Sequence, residues 1–180
     1  RHLVEDGAVV TVADIDKDRV ARLVGKFPGV KVADPAEIVT MPCDVLAPCA
    51  MGAVINDATI EKLQCSIVAG AANNQLERDE HGDILRRKGI IYAPDYVINA
   101  GGLINVYHEL EGYSRERAER MTRGIFYNLM RVFEISERQD ISTRRAADYL
   151  VERRLDKIGR ANNIYSHNQK DLLSYIHERR

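Results

Sequence analysis

The stretch of sequence that decides the fold is residues 91–106, IYAPDYVINAGGLINV, read together with residues 69–75, AGAANNQ. Each stretch contains the end of a short apolar run, at residues 66–70 for the shorter one and residues 89–93 for the longer one. Continuous apolar runs of this length are typical of strands buried in a parallel sheet. The residues that follow are therefore expected at the carboxyl edge of a sheet, where open α/β sheets bind ligands.

Two further strands are predicted upstream, at residues 8–13 and 43–47, and helical segments follow them at residues 19–24 and 56–63. Neighbouring parallel strands need a crossover connection, which is usually a helix. The alternation predicts an α/β fold, in the form of a doubly wound, Rossmann-like, mostly parallel sheet that helices cover on both faces.

Long helices are predicted after Gly102, in two charged segments that Ser114 and either Ser142 or Thr143 can cap. Apolar residues recur there at three- and four-residue steps, as Ala118, Met121, Ile125, Leu129 and Val132 in the first segment and Ala146, Ala147, Leu150, Val151, Leu155 and Ile158 in the second. We therefore divide the chain into a domain of residues 1–112, helices over 113–161 and a tail over 162–180.

The composition restricts the class of protein. The 180 residues carry 26 basic and 27 acidic side chains, so no net field favours nucleic acid or an anionic membrane as a partner. Arginines in the first long helix are interleaved with glutamates, which is typical of a solvated face. Three cysteines make no disulfide framework and indicate the reducing cytoplasm. No apolar run approaches the roughly eighteen residues that span a membrane.

The two quoted stretches resemble the nucleotide-binding domain of the amino acid dehydrogenases, the family of the glutamate, leucine, phenylalanine and valine enzymes, with the leucine branch closest. The resemblance implies an NAD-dependent oxidoreductase that reversibly converts an apolar L-amino acid to a 2-oxo acid, ammonia and NADH. It also implies a homo-oligomer.

The G-x-G-x-x-G loop of the fold is absent and the chain opens at Arg1 without an initiator Met. We therefore expect an N-terminally truncated piece whose sheet is incomplete.

Asp14 ends the first predicted strand. In a dinucleotide-binding fold an acidic residue there accepts hydrogen bonds from the adenosine ribose hydroxyls and repels a 2′-phosphate, which favours NAD over NADP. The alternative is that Asp14 caps the following helix. Basic residues close by, Lys17, Arg19 and Arg22, are able to accommodate a phosphate instead.

Residues 48–52, PCAMG, follow the second strand at its carboxyl end. The resemblance implies that Cys49, Ala50 and Met51 pack along the dinucleotide near the nicotinamide ribose. A zinc site is not favoured, because Cys43 and Cys49 lack paired ligand spacing and have no histidine close in sequence. We expect no metal.

Asn73 and Asn99 are the predicted amide contacts to the nicotinamide half of the cofactor. A side-chain amide offers a donor and an acceptor, which suits hydroxyl or carboxamide groups. Asn74 is an alternative to Asn73, and either asparagine can instead satisfy loop backbone. The paired glycines after Asn99, Gly101 and Gly102, allow close approach of the backbone to a ligand.

Leu103 and Val106 lie one helical turn further on and share one face of a helix. The resemblance implies that both line the pocket for the substrate side chain. Because both are apolar, an aliphatic or aromatic amino acid fits better than glutamate. The alternative is that both residues belong to the core of the helix packing.

No catalytic residue is assigned in this chain. The resemblance places the lysine and carboxylate that transfer protons in an N-terminal domain, and Asp95 within APDY is interpreted as structural. The chain alone is therefore expected to be inactive. A non-catalytic nucleotide-binding or assembly module with the same fold is the alternative. The tail after about Asn162 is expected to fold back or to pack between subunits.

Overall fold

The computed structural model describes the backbone of residues 1–110 and 112–177, and side chains as far as residue 160. Five two-residue strands form two parallel sheets. One sheet pairs β1 (Thr11–Val12) with β2 (Lys31–Val32), and the other has the order β3 (Val45–Leu46), β4 (Ile67–Val68), β5 (Ile91–Tyr92). The parallel pairing of consecutive strands, with helical segments between them, confirms the predicted α/β class.

Helices connect the strands and make up the C-terminal half. The described chain contains a 3-10 turn at Ile38–Thr40 and the helices α1 (His2–Glu5), α2 (Lys17–Lys26), α3 (Asp57–Ile60), α4 (Glu80–Arg87), α5 (Asp95–Ile98), α6 (Gly101–Leu110), α7 (Arg115–Gln139) and α8 (Thr143–His177). The side chain of Asn56 caps α3 and that of Ser114 caps α7, by accepting N–H groups of the first turn. Both predicted C-terminal helices are present, and α8 continues through residues 162–177, which were predicted as a separate tail.

The core lies on one face of the three-stranded sheet. Leu46, Val68 and Tyr92 stand side by side in register and are all buried. They pack with buried residues of the connecting segments, among them Ile55, Ile60, Leu63 and Leu85. The preceding row of the sheet points the other way because strand side chains alternate. In that row Val45 and Ile91 are each 48% exposed, so the described residues cover this face of the sheet only in part.

The strand β2 and the helix α4 are among the elements that were not predicted. The strand β2 does not lie in an apolar run of the sequence. Both of its residues are exposed, and only the pairing with β1 identifies it as a strand. The helix α4 lies in a segment that is polar on average, yet it buries His81, Gly82 and Leu85 on one side. Periodicity in an eight-residue polar segment is too short to be decisive.

The two long helices pack on each other through Val132, Ala146 and Ala147, with Val97 of α5 against the same cluster. Asp140 ends α7 in the left-handed conformation, with φ 55°, so the chain reverses tightly. No helix within the described residues is long and apolar enough to cross a membrane. The predicted docking of the tail concerns side chains that lie outside the described ones.

Candidate functional site

Two loops meet at the carboxyl edge of the three-stranded sheet: the PCAMG loop, residues 48–52, and the GAANNQ loop, residues 70–75. Gly70 lies so close to Pro48 that a Cβ on Gly70 would stand 2.0 Å from the Pro48 carbonyl oxygen. The Ala72 N–H also donates to that oxygen at 2.9 Å. Glycine is therefore required at position 70 for the two loops to touch.

A second close approach lies at Gly52. A Cβ there would be 2.8 Å from the carbonyl oxygen of Asn73. The Ala53 N–H donates to the Asn74 oxygen at 2.7 Å, and both residues have positive φ, 55° and 51°. Positive φ is uncommon for alanine and is maintained here by the surrounding contacts. The PCAMG loop is thus fixed against the backbone of the predicted cofactor-contacting asparagine.

The side chains of the PCAMG loop are open to solvent. Cys49 is exposed, and its sulfur accepts the Ala71 N–H at 3.5 Å, so this thiol helps to join the two loops. Ala50 is exposed and Met51 is 74% exposed. An exposed methionine beside small residues presents apolar, adaptable surface that a bound molecule can cover.

Asn73 and Asn99 come together although they lie on different loops. The Asn99 amide Nδ2 donates to Asn73 Oδ1 at 2.6 Å. Asn99 is the C-terminal cap residue of α5, and Asn73 belongs to the GAANNQ loop. The structure therefore brings residues 69–75 and residues 91–106 into contact. Within the part of the chain that the structure describes, Nδ2 of Asn73 and Oδ1 of Asn99 have no hydrogen-bond partner.

A buried polar group beneath this pair was not predicted as functional. Gln75 is fully buried, and its side-chain Nε2 donates to the carbonyl oxygens of Gly70 at 2.6 Å and Ala72 at 3.0 Å. Its backbone N–H donates to Asp95 Oδ2 at 3.4 Å. Gln75 therefore shapes the loop that carries Asn73 and connects it to the start of the helix that ends at Asn99. No pattern in the sequence distinguishes this glutamine from a surface one.

Asp95 has the structural role that the sequence analysis gave it. It is buried, and its Oδ1 accepts the hydroxyl of Tyr92 at 3.3 Å. Burial first, and then the neighbouring Asp95 carboxylate, raise the pKa of Tyr92 above its ordinary value. The tyrosine therefore stays protonated and remains a hydrogen-bond donor at physiological pH.

The predicted substrate-facing residues project from α6 into open space. Leu103 is 75% exposed and Val106 is 55% exposed, so the alternative that both are helix core is wrong for this chain. Leu110 continues the apolar surface one turn further and is exposed as well. Exposed apolar side chains that follow Asn99 on one helix provide a surface for an apolar ligand or partner.

Asp14 stands apart from these residues, at the end of β1 in the two-stranded sheet. Its Oδ1 accepts the Asp16 N–H at 2.9 Å, and its Oδ2 lies 3.7 Å from a guanidinium nitrogen of Arg19. Asp16, not Asp14, is the N-terminal cap of α2, since its side chain accepts the Arg19 N–H. The capping alternative for Asp14 is therefore wrong.

One group of potential metal ligands lies elsewhere, where Asp57, Glu77 and His81 bring ligand atoms within 4.8 Å of one another. Both ring nitrogens of His81 are already engaged. Nδ1 accepts the Arg78 N–H at 3.1 Å and Nε2 lies 3.0 Å from Asp57. The Arg78 guanidinium also binds Asp57 at 2.7 Å. The group ties α3 to the start of α4, and it is a structural contact.

The family model described as Glutamate/Leucine/Phenylalanine/Valine dehydrogenase matches residues 5–158. The chain belongs to this family. A leucine dehydrogenase from Thermoactinomyces intermedius is 46% identical over 175 residues, which are 97% of this chain and 48% of that relative. A leucine dehydrogenase from Bacillus subtilis (strain 168) is 49% identical over 174 residues, with the same coverage of 97% and 48%.

Among solved structures of this dehydrogenase family, the L-tryptophan dehydrogenase from Nostoc punctiforme superposes with a TM-score of 0.83 at 46% identity. The match covers 87% of this chain and 48% of that one. The chain thus spans about half the length of the relatives it matches. The predicted family membership is confirmed, while the individual contact residues of this family member stay predictions.

Proposed function

We propose that this chain is the cofactor-facing part of an NAD-dependent amino acid dehydrogenase that reversibly deaminates an apolar, leucine-like L-amino acid. The proposed domain is Rossmann-like. The observation that carries the proposal is the contact between Asn73 and Asn99, at the sheet edge where open α/β sheets bind ligands. The relatives supply the reaction type, since they are leucine, tryptophan and phenylalanine dehydrogenases.

The free atoms of the two asparagines suit the nicotinamide end of the cofactor. The amide-to-amide hydrogen bond leaves a donor on Asn73 and an acceptor on Asn99. A carboxamide offers an acceptor and a donor in return, so the pair can fix its orientation. Bound NAD would supply the acceptor for the hydride that leaves the α-carbon of the amino acid. The residues of this chain bind and orient, and the proton-transferring groups are not assigned to it.

A preference for NAD over NADP rests on Asp14. A carboxylate at the end of this strand attracts ribose hydroxyls and repels a 2′-phosphate. Arg19, 3.7 Å from the carboxylate, partly offsets that charge. Asp14 follows β1, Arg19 lies in the first turn of α2, and the side chain of Asp14 is the less exposed of the two. We therefore propose NAD as the cofactor.

The substrate is proposed from Leu103 and Val106. Both are apolar and exposed on α6, one to two turns after Asn99, and a charged substrate side chain would lose its hydration against them without a partner. We further propose a homo-oligomer in the cytoplasm. Exposed Phe126 and Tyr127 on α7 provide apolar area for association, and the three cysteines are free thiols.

Calorimetric titration of the chain with NAD and with NADP tests the cofactor part. We expect NAD to bind more tightly than NADP, and Asp14→Ala to reduce the difference. Absence of NAD binding would contradict the assignment of the site. A parallel absorbance assay with leucine and NAD should show no NADH from the chain alone, and NADH formation would contradict the proposal that this chain lacks the catalytic groups.

A full-length enzyme that carries this sequence separates the dehydrogenase from a non-catalytic module. We expect it to reduce NAD with leucine, valine or phenylalanine and to do so poorly with glutamate. Full-length protein that binds NAD and reduces none with any amino acid would favour the binding or assembly module.

A further inference from the structure

Two cysteines that the proposed function does not use lie side by side at the amino-terminal ends of β3 and β4. Val45 pairs with Ile67 in the parallel ladder, and Cys43 and Cys65 each lie two residues before these partners. The Cys43 N–H donates to the Gln64 oxygen at 3.0 Å, so the pairing continues back to the cysteines. Neighbouring strands are roughly 4.8 Å apart.

The ladder is irregular at this point. Both the Ser66 and the Ile67 N–H groups donate to the Asp44 oxygen, at 3.1 and 3.0 Å. These two bonds join the segment before β4 to the segment before β3. A disulfide needs Cα atoms about 4.4–6.8 Å apart, and adjacent positions on paired strands meet this requirement.

The directions of the pKa shifts of the two thiols agree with this pairing. Burial raises the pKa of Cys65, and the Cys43 thiol raises it further. Burial and the adjacent Asp44 carboxylate raise the pKa of Cys43. Cys43 is exposed to solvent and Cys65 is half-buried at the border of the sheet core. A reagent can therefore reach Cys43 first, and Cys65 is close enough to complete a reaction.

We propose that Cys43 and Cys65 are a redox-sensitive dithiol that closes to an intramolecular disulfide by exchange with a low-molecular-weight disulfide. In the first step the Cys43 thiolate attacks one sulfur of the reagent, forms a mixed disulfide and expels one thiolate. In the second step the Cys65 thiolate attacks the Cys43 sulfur and expels the other half of the reagent. Two electrons pass to the reagent, and the two thiol protons pass to the released thiolates.

The location of the pair separates it from the proposed cofactor site. The cysteines precede β3 and β4, whereas the PCAMG and GAANNQ loops follow these strands. Cys49 belongs to the PCAMG loop, and its sulfur accepts the Ala71 N–H. A closed Cys43–Cys65 disulfide would cross-link the two central segments of the core and restrict the unfolded chain. The exchange is therefore expected to raise the melting temperature.

Counting free thiols tests the proposal. The reduced chain, unfolded and labelled with a maleimide, should take up three labels, one for each cysteine. In the Cys49→Ser variant, which removes the other exposed thiol, the count should fall from two labels to none after incubation with oxidised glutathione, removal of the reagent and unfolding, with no glutathione added to the mass of the chain. Since the raised pKa values keep the thiols protonated near neutrality, the rate of closure should increase by about tenfold per pH unit below those pKa values.

Digestion identifies the partners. Cleavage before Asp44 separates Cys43 from Cys49, and tryptic cleavage after Lys62 separates both from Cys65. The expected cross-linked peptide joins Cys43 to Cys65. The matched control Cys49→Ser should still close, whereas Cys43→Ser and Cys65→Ser should stop at the mixed disulfide. Retention of three labels by the treated chain, a cross-link to Cys49, or dimers on a non-reducing gel would overturn the proposal.

Discussion

The amide of Asn99 donates a 2.6 Å hydrogen bond to the side-chain oxygen of Asn73, across 26 positions of sequence. This bond couples the orientations of the two amides, because one amide can turn over only if the other turns over with it. A side-chain amide is otherwise free to turn over by half a rotation, which would exchange its donor and acceptor. The pair is thus organised to offer one donor and one acceptor to a bound molecule.

Replacing one asparagine should weaken cofactor binding. In Asn99→Ala the Asn73 side chain loses its orienting partner and the site loses an acceptor, so we expect the Kd for NAD to rise by about 2- to 10-fold, the worth of one hydrogen bond. Calorimetric titration measures this. Asn128→Ala, at an exposed position on α7, is the matched control and should leave the Kd unchanged. Equal affinities of the two variants would count against the pair.

Gly70→Ala should disturb the junction of the two loops. Its Cβ would fall on the backbone of Pro48, which cannot yield as a flexible side chain would, so we expect a loss of roughly 1–3 kcal/mol or more in the free energy of unfolding. Denaturant unfolding measures the change. Gly25→Ala in α2, where the added Cβ meets open space, is the control and should stabilise by about 0.4–1 kcal/mol. Equal effects at both positions would contradict the close approach.

Replacing Gln75 should lower the free energy of unfolding, and a buried charge at this position should lower it more than the loss of the hydrogen bonds alone. Gln75→Met keeps the volume but leaves the Gly70 and Ala72 carbonyl oxygens without their donor, which should cost about 1–3 kcal/mol. Gln75→Glu should be worse, since it buries a carboxylate beside those oxygens and near Asp95. Chemical denaturation ranks the two variants. The exposed Gln139→Met at the end of α7 serves as the control, and a Glu variant as stable as the Met variant would contradict this role of Gln75.

Leu103→Ala should change substrate preference in a full-length enzyme that carries this chain. Removing part of the side chain enlarges the space available to a substrate. The ratio of kcat/KM for phenylalanine to kcat/KM for leucine should therefore rise by about 10-fold, a typical value for a few methylene groups. Leu110→Ala, on the same helix but further from Asn99, is the control. Unchanged ratios in both variants would place the substrate pocket elsewhere.

Asp57 should make the stability of the chain depend on acid. Hydrogen bonds from Arg78 and then His81 lower the pKa of Asp57 below its ordinary value of 3.8. The stabilisation is therefore fully present above that ordinary value and is lost as the pH falls through the lower folded-state value. Asp57→Asn should be less stable than the unmodified chain above about pH 5, and the difference should vanish in stronger acid. Melting curves from pH 7 downward show this.

Asp156→Asn removes a carboxylate that has no ion pair with a described residue and is the control for net charge. Its melting temperature should follow that of the unmodified chain at every pH. A difference between Asp57→Asn and the unmodified chain that persists at the lowest pH would show that the carboxylate acts through shape alone.

The sequence predicted the elements that carry a strong local signal. The apolar runs before Gly70 and Ala93 became β4 and β5, and the spacing of apolar residues after Ser114 became α7. The sequence did not predict elements that can be recognised only together with the segment on which they pack. β2 consists of two exposed residues, and α4 buries one side of a polar helix. Neither has enough periodic residues to be recognised before its neighbour is known.

The candidate site, too, was predicted from the sequence only in part. By itself, the sequence predicted the family and the α/β class, and both are confirmed. It also predicted Asn73, Asn99, Leu103 and Val106 as contact residues from residue type and local spacing, and these roles stay predictions. The tertiary structure alone decided that Asn73 and Asn99 touch and that Gln75 supports them from the core. It also decided that the described residues cover one face of the sheet only in part and that the segments of Cys43 and Cys65 pair. Such relationships depend on the pairing of strands far apart in sequence, which local propensity does not encode.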